Sequence, residues 1–170
     1  MNTELLSVRD ALDDDFDNVM RIYRYAQDFM IESGNPDQWA HRYPEPELIR
    51  QDIREGRCKL VCSDSGAHGV FAFFTDEDPT YAYIEDGQWP NAEPYATIHR
   101  IAGDGQVRGI LQRAVEYCRA YASNVRIDTA EDNKILQHAI AKCGFQRCGI
   151  IYLENGDPRI AYAKHFSDKE

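Results

Sequence analysis

A strand-like segment that turns through glycines directly into an amphipathic helix most constrains how this 170-residue chain can fold. Residues 95–102 carry the β-branched and aromatic side chains typical of a strand. After Gly109, apolar residues recur at helical spacing and predict a helix with one apolar face, formed by Leu111, Ala114, Val115, Cys118, Tyr121 and Ala122. A strand followed at once by such a helix is typical of α/β architectures.

Similar patterns extend this architecture to the rest of the chain. Helical periodicity predicts helices over residues 14–32, 47–55 and 132–143, the last capped by Asp132 and ended by Gly144. Runs rich in β-branched and aromatic residues predict strands over residues 5–9, 58–62, 69–74, 125–129, 149–153 and 159–163. Asn155-Gly156 predicts a tight hairpin turn between the last two strands. We expect one domain over residues 1–170, with an α/β (α+β) fold in which helices flank a mixed, largely antiparallel sheet.

The net charge of −10 restricts the partners that this chain can bind. A surface with this charge repels nucleic-acid phosphates and attracts cations, so we expect no nucleic-acid partner. No apolar run approaches the ~18 residues that a membrane span needs, and the first residues lack the pattern of a secretory signal. We therefore expect a cytoplasmic protein without a membrane partner.

The five cysteines show no spacing typical of a metal site. They are Cys58, Cys62, Cys118, Cys143 and Cys148. None of them forms the close CxxC pair of zinc sites and redox motifs. Since isolated cysteines behave as small hydrophobic residues, we expect free, mostly buried thiols and no bound metal.

The glycine-rich turn at residues 103–109 is a candidate anion-binding site. Unpaired backbone N–H groups and the positive end of the helix dipole converge where a helix begins, and both favour phosphate. Gly109 lets the backbone approach a ligand closely, and Arg108 adds a positive charge. Glycines between a strand and a helix are more often only a tight connection, which is the alternative interpretation. A nucleotide-phosphate loop is disfavoured because no Gly-Lys-Ser or Gly-Lys-Thr follows the glycines.

Two segments resemble motifs of the GCN5-related N-acetyltransferase (GNAT) family. Gln106-Val107-Arg108-Gly109, placed after a strand, is similar to the family signature: Gln or Arg, two residues, Gly, one residue, then Gly or Ala. Asn133 at a helix start, followed eleven residues later by Gly144-Phe145 and a strand, resembles the family's C-terminal motif. The predicted order of helices and strands agrees with the family over nearly the whole chain.

This resemblance implies an N-acetyltransferase. Acetyl-CoA would be the co-substrate, in a groove between the strand ending at Ala102 and the strand at residues 125–129. A primary amine would enter from the opposite side and attack directly in a ternary complex. The residues expected to contact acetyl-CoA are His99, Ile101, Gln106, Val107, Arg108, Gly109, Ile110, Leu111 and Asn133. For Asn133, a helix cap is the alternative interpretation.

The chain also departs from the family pattern. Leu111 stands where the signature has Gly or Ala, although its place on the apolar face allows its side chain to point away from phosphate. Ile140 replaces the family's frequent tyrosine general acid and cannot donate a proton. Either another group protonates the leaving thiolate or it departs unaided. These departures keep open a second hypothesis, a non-catalytic acyl-CoA-binding or regulatory module on the same fold.

Three residues are the catalytic candidates. A histidine side chain can take up a proton near neutral pH, so His99 could accept the amine proton, although it could also be structural. Tyr95 stands where many relatives have a glutamate, and Glu93 lies two residues upstream. Glu93 and a fourth residue, Tyr152, are weaker candidates than His99, and for Tyr152 the alternative is a half-buried packing role.

Aromatic residues in or beside the two long predicted loops, residues 34–46 and 76–94, could wall an acceptor pocket. They are Trp39, Tyr43, Trp89 and Tyr95, and Glu85, Asp86 and Glu93 could attract a cationic amine. The alternative is that these rings only anchor the loops to the core. The sequence leaves the acceptor open among small-molecule and peptide amines: polyamine, amino acid, aminoglycoside, protein N-terminus or lysine. The C-terminal hairpin suggests a homodimer.

Overall fold

The computed structural model describes residues 5–167, so both ends of the predicted 1–170 domain lie outside the described residues. The strands are β1 Ser7–Asp10, β2 Cys58–Ser63, β3 Gly66–Phe74, β4 Tyr95–Gly103, β5 Asn124–Thr129, β6 Gln146–Tyr152 and β7 Pro158–His165. The α-helices are α1 Phe16–Glu32, α2 Pro46–Arg54, α3 Ile110–Cys118 and α4 Lys134–Lys142.

The strands form a sheet in the order β1-β2-β3-β4-β5-β7-β6. The β1–β2, β2–β3, β5–β7 and β6–β7 pairs are antiparallel, whereas β4 and β5 are parallel. A parallel pair needs a long crossover connection, and α3 lies within it. The structure confirms the predicted mixed, largely antiparallel sheet with flanking helices.

By its contacts the chain divides into two compact units. The first unit contains the described residues up to Phe73 together with His99–Ala114, and the second contains Phe74–Ile98 together with the described residues from Val115 onward. In the first unit, the apolar face of α1 and residues of α2, β2 and β3 form a core that includes Val19, Ile22, Tyr23, Ile49, Leu60 and Val70. In the second, Tyr81, Ile151 and Ala161 form a core against which Trp89 and Tyr95 pack. The single-domain organisation stays a prediction.

Two helix ends differ from the sequence prediction. The predicted apolar face continues to Ala122, but α3 ends at Cys118 and the chain turns before β5 begins at Asn124. The cap of α4 is Asn133, not Asp132, because the Asn133 Oδ1 accepts a hydrogen bond from the Leu136 N–H at 3.1 Å. Both residues have good capping side chains, so the sequence alone does not choose between them.

The β6–β7 hairpin has a longer turn than the Asn155-Gly156 pair predicts. The Leu153 N–H donates to the Asp157 carbonyl at 2.9 Å, which closes a loop of three residues. Gly156 alone in this loop has a positive φ, +90°. This geometry is that of a three-residue hairpin loop with glycine in the left-handed position.

The cysteines are free thiols, as predicted. Burial raises the pKa of the Cys58 and Cys118 thiols to about 12, so both stay protonated at neutral pH. Among residues 5–167, no group of three or more His, Cys, Asp or Glu side chains is placed to hold a metal ion. In the same range, no helix combines the length and the hydropathy of a membrane span.

Candidate functional site

The glycine-rich turn leaves open space in front of the N-terminus of α3. Gly105 and Gly109 have φ of +76° and +87°, a conformation that glycine adopts without strain. Among the described residues, a Cβ atom added at Gly109 would come within 4 Å of Leu6 Cδ1 alone, at 3.9 Å. The backbone at Gly109 is therefore accessible to a ligand, directly before the first helical residue, Ile110. This arrangement fits an anion at the helix N-terminus.

A buried carboxylate holds this turn in place. The Asp104 side chain is only 4% exposed. Its Oδ1 accepts a hydrogen bond from the Gln106 N–H at 3.0 Å, and its Oδ2 accepts one from Arg21 Nη1 at 3.2 Å and lies 2.9 Å from His68 Nδ1. The Gln106 N–H already donates to Asp104. The backbone N–H groups that we expect to face phosphate are therefore those of residues 107–111.

The site also contains Arg21, His68 and Asp104, which the sequence patterns did not predict as site residues. They come from α1, β3 and the turn, and no local pattern indicates that they meet. Arg21 is half exposed and also donates to the Ala67 carbonyl at 3.1 Å, so it carries a positive charge beside the turn. His68 Nε2 lies 2.8 Å from the Ser65 hydroxyl, which extends the network to the β2–β3 turn.

The start of α3 packs closely on the neighbouring strand. A Cβ atom added at Gly69 would lie 2.7 Å from the Ile110 side chain, so a larger residue at position 69 would displace that side chain. The Leu111 side chain is 8% exposed, which confirms that it belongs to the buried face of the helix. Leu111, which stands where the family signature has Gly or Ala, therefore places no side chain on the exposed side of the turn.

Strand β4 carries an irregularity at Arg100. This residue has a φ of +52°, uncommon for a residue other than glycine, and its carbonyl accepts a hydrogen bond from the Tyr23 hydroxyl at 2.9 Å. The left-handed residue interrupts the regular alternation of side chains along β4. Regular alternation would place His99 and Ile101 on the same face of the sheet. His99 is half-buried next to the irregularity, and its catalytic role stays a prediction.

The Arg100 side chain ties β4 to α2 and to the loop before it. Its Nε and Nη2 donate to the two carboxylate oxygens of Asp52, each at 3.0 Å, and its Nη1 donates to the Tyr43 hydroxyl at 3.2 Å. Burial works to lower the pKa of the Arg100 guanidinium, but Tyr43 and Asp52 hold that pKa above its ordinary value. Burial also raises the pKa of the Tyr23 hydroxyl, which therefore stays a neutral donor.

The β4–β5 ladder pairs three residues of each strand. Its pairs are Tyr95–Asn124, Ala96–Val125 and Thr97–Arg126, whereas β4 continues to Gly103 and β5 to Thr129. The continuation of β4 belongs to the first unit and that of β5 to the second. The groove itself stays a prediction.

The remaining candidates lie in the second unit. The Tyr95 hydroxyl accepts a hydrogen bond from the Asp78 N–H at 2.8 Å, and the Arg126 guanidinium lies 3.9 Å from the centre of its ring. Glu93 is exposed, with a carboxylate oxygen 3.4 Å from His165 Nε2. Asn133 caps α4, as its alternative interpretation proposed, and its contact with acetyl-CoA stays a prediction.

The aromatic residues of the two long loops pack onto the cores. Trp39 makes edge contacts with Tyr23 and Tyr43, at ring-centroid distances of 5.8 and 6.2 Å. Trp89 lies 5.1 Å from Tyr81 between ring centroids, and its Nε1 donates to the Tyr81 carbonyl at 2.9 Å. For Trp39 and Trp89 the structure thus confirms the anchoring interpretation.

No family model and no curated protein matches this sequence. Several solved structures are similar to it. An acetyltransferase of the GNAT family from Streptococcus agalactiae is 28% identical over 99% of both chains, with a TM-score of 0.87. A GNAT-family acetyltransferase from Listeria monocytogenes is 21% identical over 95% of both chains, with a TM-score of 0.68. The ribosomal-protein-S18-alanine N-acetyltransferase from Escherichia coli is 13% identical over 96% of this chain and 95% of its own, with a TM-score of 0.61. At 21% and 13% identity, the last two likenesses concern the fold alone. The streptococcal likeness adds a sequence identity of 28% over 99% of both chains.

Proposed function

Because this chain belongs to the GCN5-related N-acetyltransferase family, we propose that it transfers an acetyl group from acetyl-CoA to a primary amine by direct attack in a ternary complex. The observation that carries the proposal is the open backbone at Gly109, directly before α3, in a turn that Asp104 holds in place. A turn of this shape suits the pyrophosphate of acetyl-CoA.

The residues around the turn fit an anionic group. The backbone N–H groups of residues 107–111 would hold the phosphates, since the Gln106 N–H is already bonded to Asp104. Arg108 is exposed, and Arg21 is half exposed beside the turn, so both can offset phosphate charge. The buried Leu111 side chain leaves room for the phosphates.

Acetyl-CoA and the residues of the chain would each supply part of the reaction chemistry. Acetyl-CoA supplies a thioester, whose acetyl carbon the amine nitrogen attacks. The backbone of residues 99–101 would orient the thioester carbonyl, and His99 would accept the proton that the amine loses. Ile140 is fully buried in α4 and cannot act as an acid. A thiol has a pKa of about 8.5, so a thiolate can leave near neutral pH without a donor at this position.

The acceptor class that suits this chain is a cationic amine, on a small molecule or a peptide. The net charge of −10 attracts such a ligand and repels nucleic acid. Glu85 and Asp86 add negative charge in the segment between β3 and β4. An alkyl amine is protonated at neutral pH, since its pKa is near 10.4, and it must lose that proton before attack.

A non-catalytic acyl-CoA-binding module is the second candidate, favoured by the absence of a proton donor at Ile140. Release of CoA distinguishes the two. We expect acetyl-CoA to be converted to CoA in the presence of at least one amine from a panel of diamines, amino acids, aminoglycosides and lysine peptides. Tight acetyl-CoA binding without CoA release for any of these amines would favour the module instead.

A further inference from the structure

A surface carboxylate in the second unit is held between two tyrosines. The Tyr83 hydroxyl donates to Glu85 Oε1 at 3.2 Å, and the Tyr152 hydroxyl donates to Glu85 Oε2. The two rings have centroids 6.5 Å apart and planes inclined by 30°. Tyr83 is 62% exposed and Tyr152 is 37% exposed, so solvent reaches both rings. The acetyl-CoA site and the proton transfer proposed above do not use this cluster of Tyr83, Glu85 and Tyr152, and Glu85 enters that proposal only through its negative charge.

The backbone fixes the position of this carboxylate. The Glu85 N–H donates to the Ile150 carbonyl and the Ile150 N–H donates to the Glu85 carbonyl, both at 2.8 Å. A Cβ atom at Gly87 would overlap the Cys148 carbonyl, and one at Gly149 would overlap the Glu85 carbonyl. Two glycines therefore permit a close backbone contact that places Glu85 beside Tyr152, at the end of β6. A ligand would meet a carboxylate that is already in position, which lowers the entropy cost of binding.

Among the described residues, Glu85 accepts hydrogen bonds from two neutral tyrosine hydroxyls. Two phenol donors stabilise its carboxylate, whose oxygens still have lone pairs to offer. Within residues 5–167, no lysine, arginine or histidine forms an ion pair with it. The hydrogen bond to Glu85 raises the pKa of the Tyr83 and Tyr152 hydroxyls, so both remain neutral donors. Asp86, the next residue, adds a second exposed carboxylate.

We propose that Tyr83, Glu85 and Tyr152 form a binding site for an alkylammonium group. An ammonium ion is attracted both by a carboxylate and by the faces of aromatic rings, and this cluster offers the two together. A neutral or anionic ligand would gain little from either feature. The proposal concerns binding alone and does not depend on acetyl transfer.

The test is a titration with n-butylammonium chloride, followed by the NMR signals of the Tyr83 and Tyr152 rings and the Glu85 amide, without acetyl-CoA. We expect saturable shifts of these signals, and none with butan-1-ol, which has the same alkyl chain but no charge. Glu85→Gln should weaken binding ~10-fold, because it removes the charge and keeps the shape. Tyr83→Leu should weaken it by ~2- to 5-fold through loss of one ring face.

Matched variants separate this site from general charge attraction. Glu154→Gln removes the same charge close to the end of β6 and should bind n-butylammonium like the wild type. Tyr152→Phe keeps the ring, so it should retain most of the affinity for n-butylammonium. Thermal unfolding checks that this variant is folded. Equal weakening by Glu85→Gln and Glu154→Gln would overturn the proposal. So would binding of butan-1-ol as strong as that of n-butylammonium, or the absence of saturation with folded protein.

Discussion

Three donors from different parts of the chain converge on the carboxylate of Asp104. They are Arg21 Nη1 from α1, His68 Nδ1 from β3 and the Gln106 N–H from the turn itself. A buried carboxylate is costly unless it is hydrogen-bonded, and these groups satisfy it. The shape of the candidate phosphate site therefore depends on one side chain that itself would not touch the ligand.

Replacement of Asp104 by alanine tests this dependence. We expect Asp104→Ala to lower the free energy of unfolding by ~2 kcal/mol, since Arg21, His68 and the Gln106 N–H lose their common acceptor. Acetyl-CoA affinity should fall ~10-fold in the folded fraction. Urea unfolding and calorimetry measure the two effects. Asp64→Ala, at the exposed β2–β3 turn, is the control and should change stability by less than ~0.5 kcal/mol. Equal effects of the two variants would contradict this role.

His99 carries the prediction about proton transfer. If it accepts the amine proton, His99→Gln should lower kcat by ~100-fold or more and flatten the acidic limb of the pH profile. Acetyl-CoA affinity should stay nearly unchanged. His138→Gln, an exposed histidine on α4, should keep the wild-type profile. Wild-type turnover in His99→Gln would show that the proton leaves by another route, and misfolding of the variant would favour the structural interpretation.

At the level of the elements, Arg100 links β4, α2 and the loop that carries Tyr43. Asp52 is 1% exposed and pairs with Arg100 through both oxygens. Breaking such a pair leaves an uncompensated buried charge, whereas replacing both partners by apolar groups is much less costly.

A double-mutant cycle measures this link. Asp52→Leu should lower the free energy of unfolding by ~3 kcal/mol, and the added Arg100→Met should recover part of that loss. Glu47→Leu on the same helix, whose carboxylate is exposed, should have little effect. The cycle is followed by urea unfolding. No recovery in the double variant would mean that the two side chains act independently.

Sequence patterns predicted the elements well because each depends on local periodicity. The buried face of α1, with Val19, Tyr23 and Ala26, follows the helical spacing, as does Leu111 in α3. The irregularity at Arg100 was not predictable, since its left-handed conformation depends on Tyr23 and Asp52 from elsewhere in the chain. For the same reason the sequence predicted the glycines of the candidate site but not the contacts that hold Asp104.

For the molecule as a whole, the net charge of −10 governs which acceptors approach it. Long-range attraction acts over a Debye length of ~8 Å at physiological ionic strength and weakens as salt is added. For a cationic acceptor, we therefore expect KM to rise as sodium chloride is increased from about 0.02 M to about 0.5 M, with little change in kcat. Steady-state kinetics at several salt concentrations measure this. A KM insensitive to salt, or a preference for anionic acceptors, would count against a cationic acceptor.

Calorimetric titration of acetyl-CoA into three proteins tests the central claim most directly: the wild type, Gly109→Val and Gly34→Val. Gly109 and Gly34 have nearly the same φ, +87° and +89°, so both valine variants should lose similar stability to backbone strain. Only Gly109→Val places a side chain in the predicted phosphate site. We predict that the wild type and Gly34→Val bind acetyl-CoA with similar affinity, and that Gly109→Val binds at least ~10-fold more weakly. Absence of wild-type binding at millimolar acetyl-CoA, or equal affinities for the two folded variants, would contradict the account.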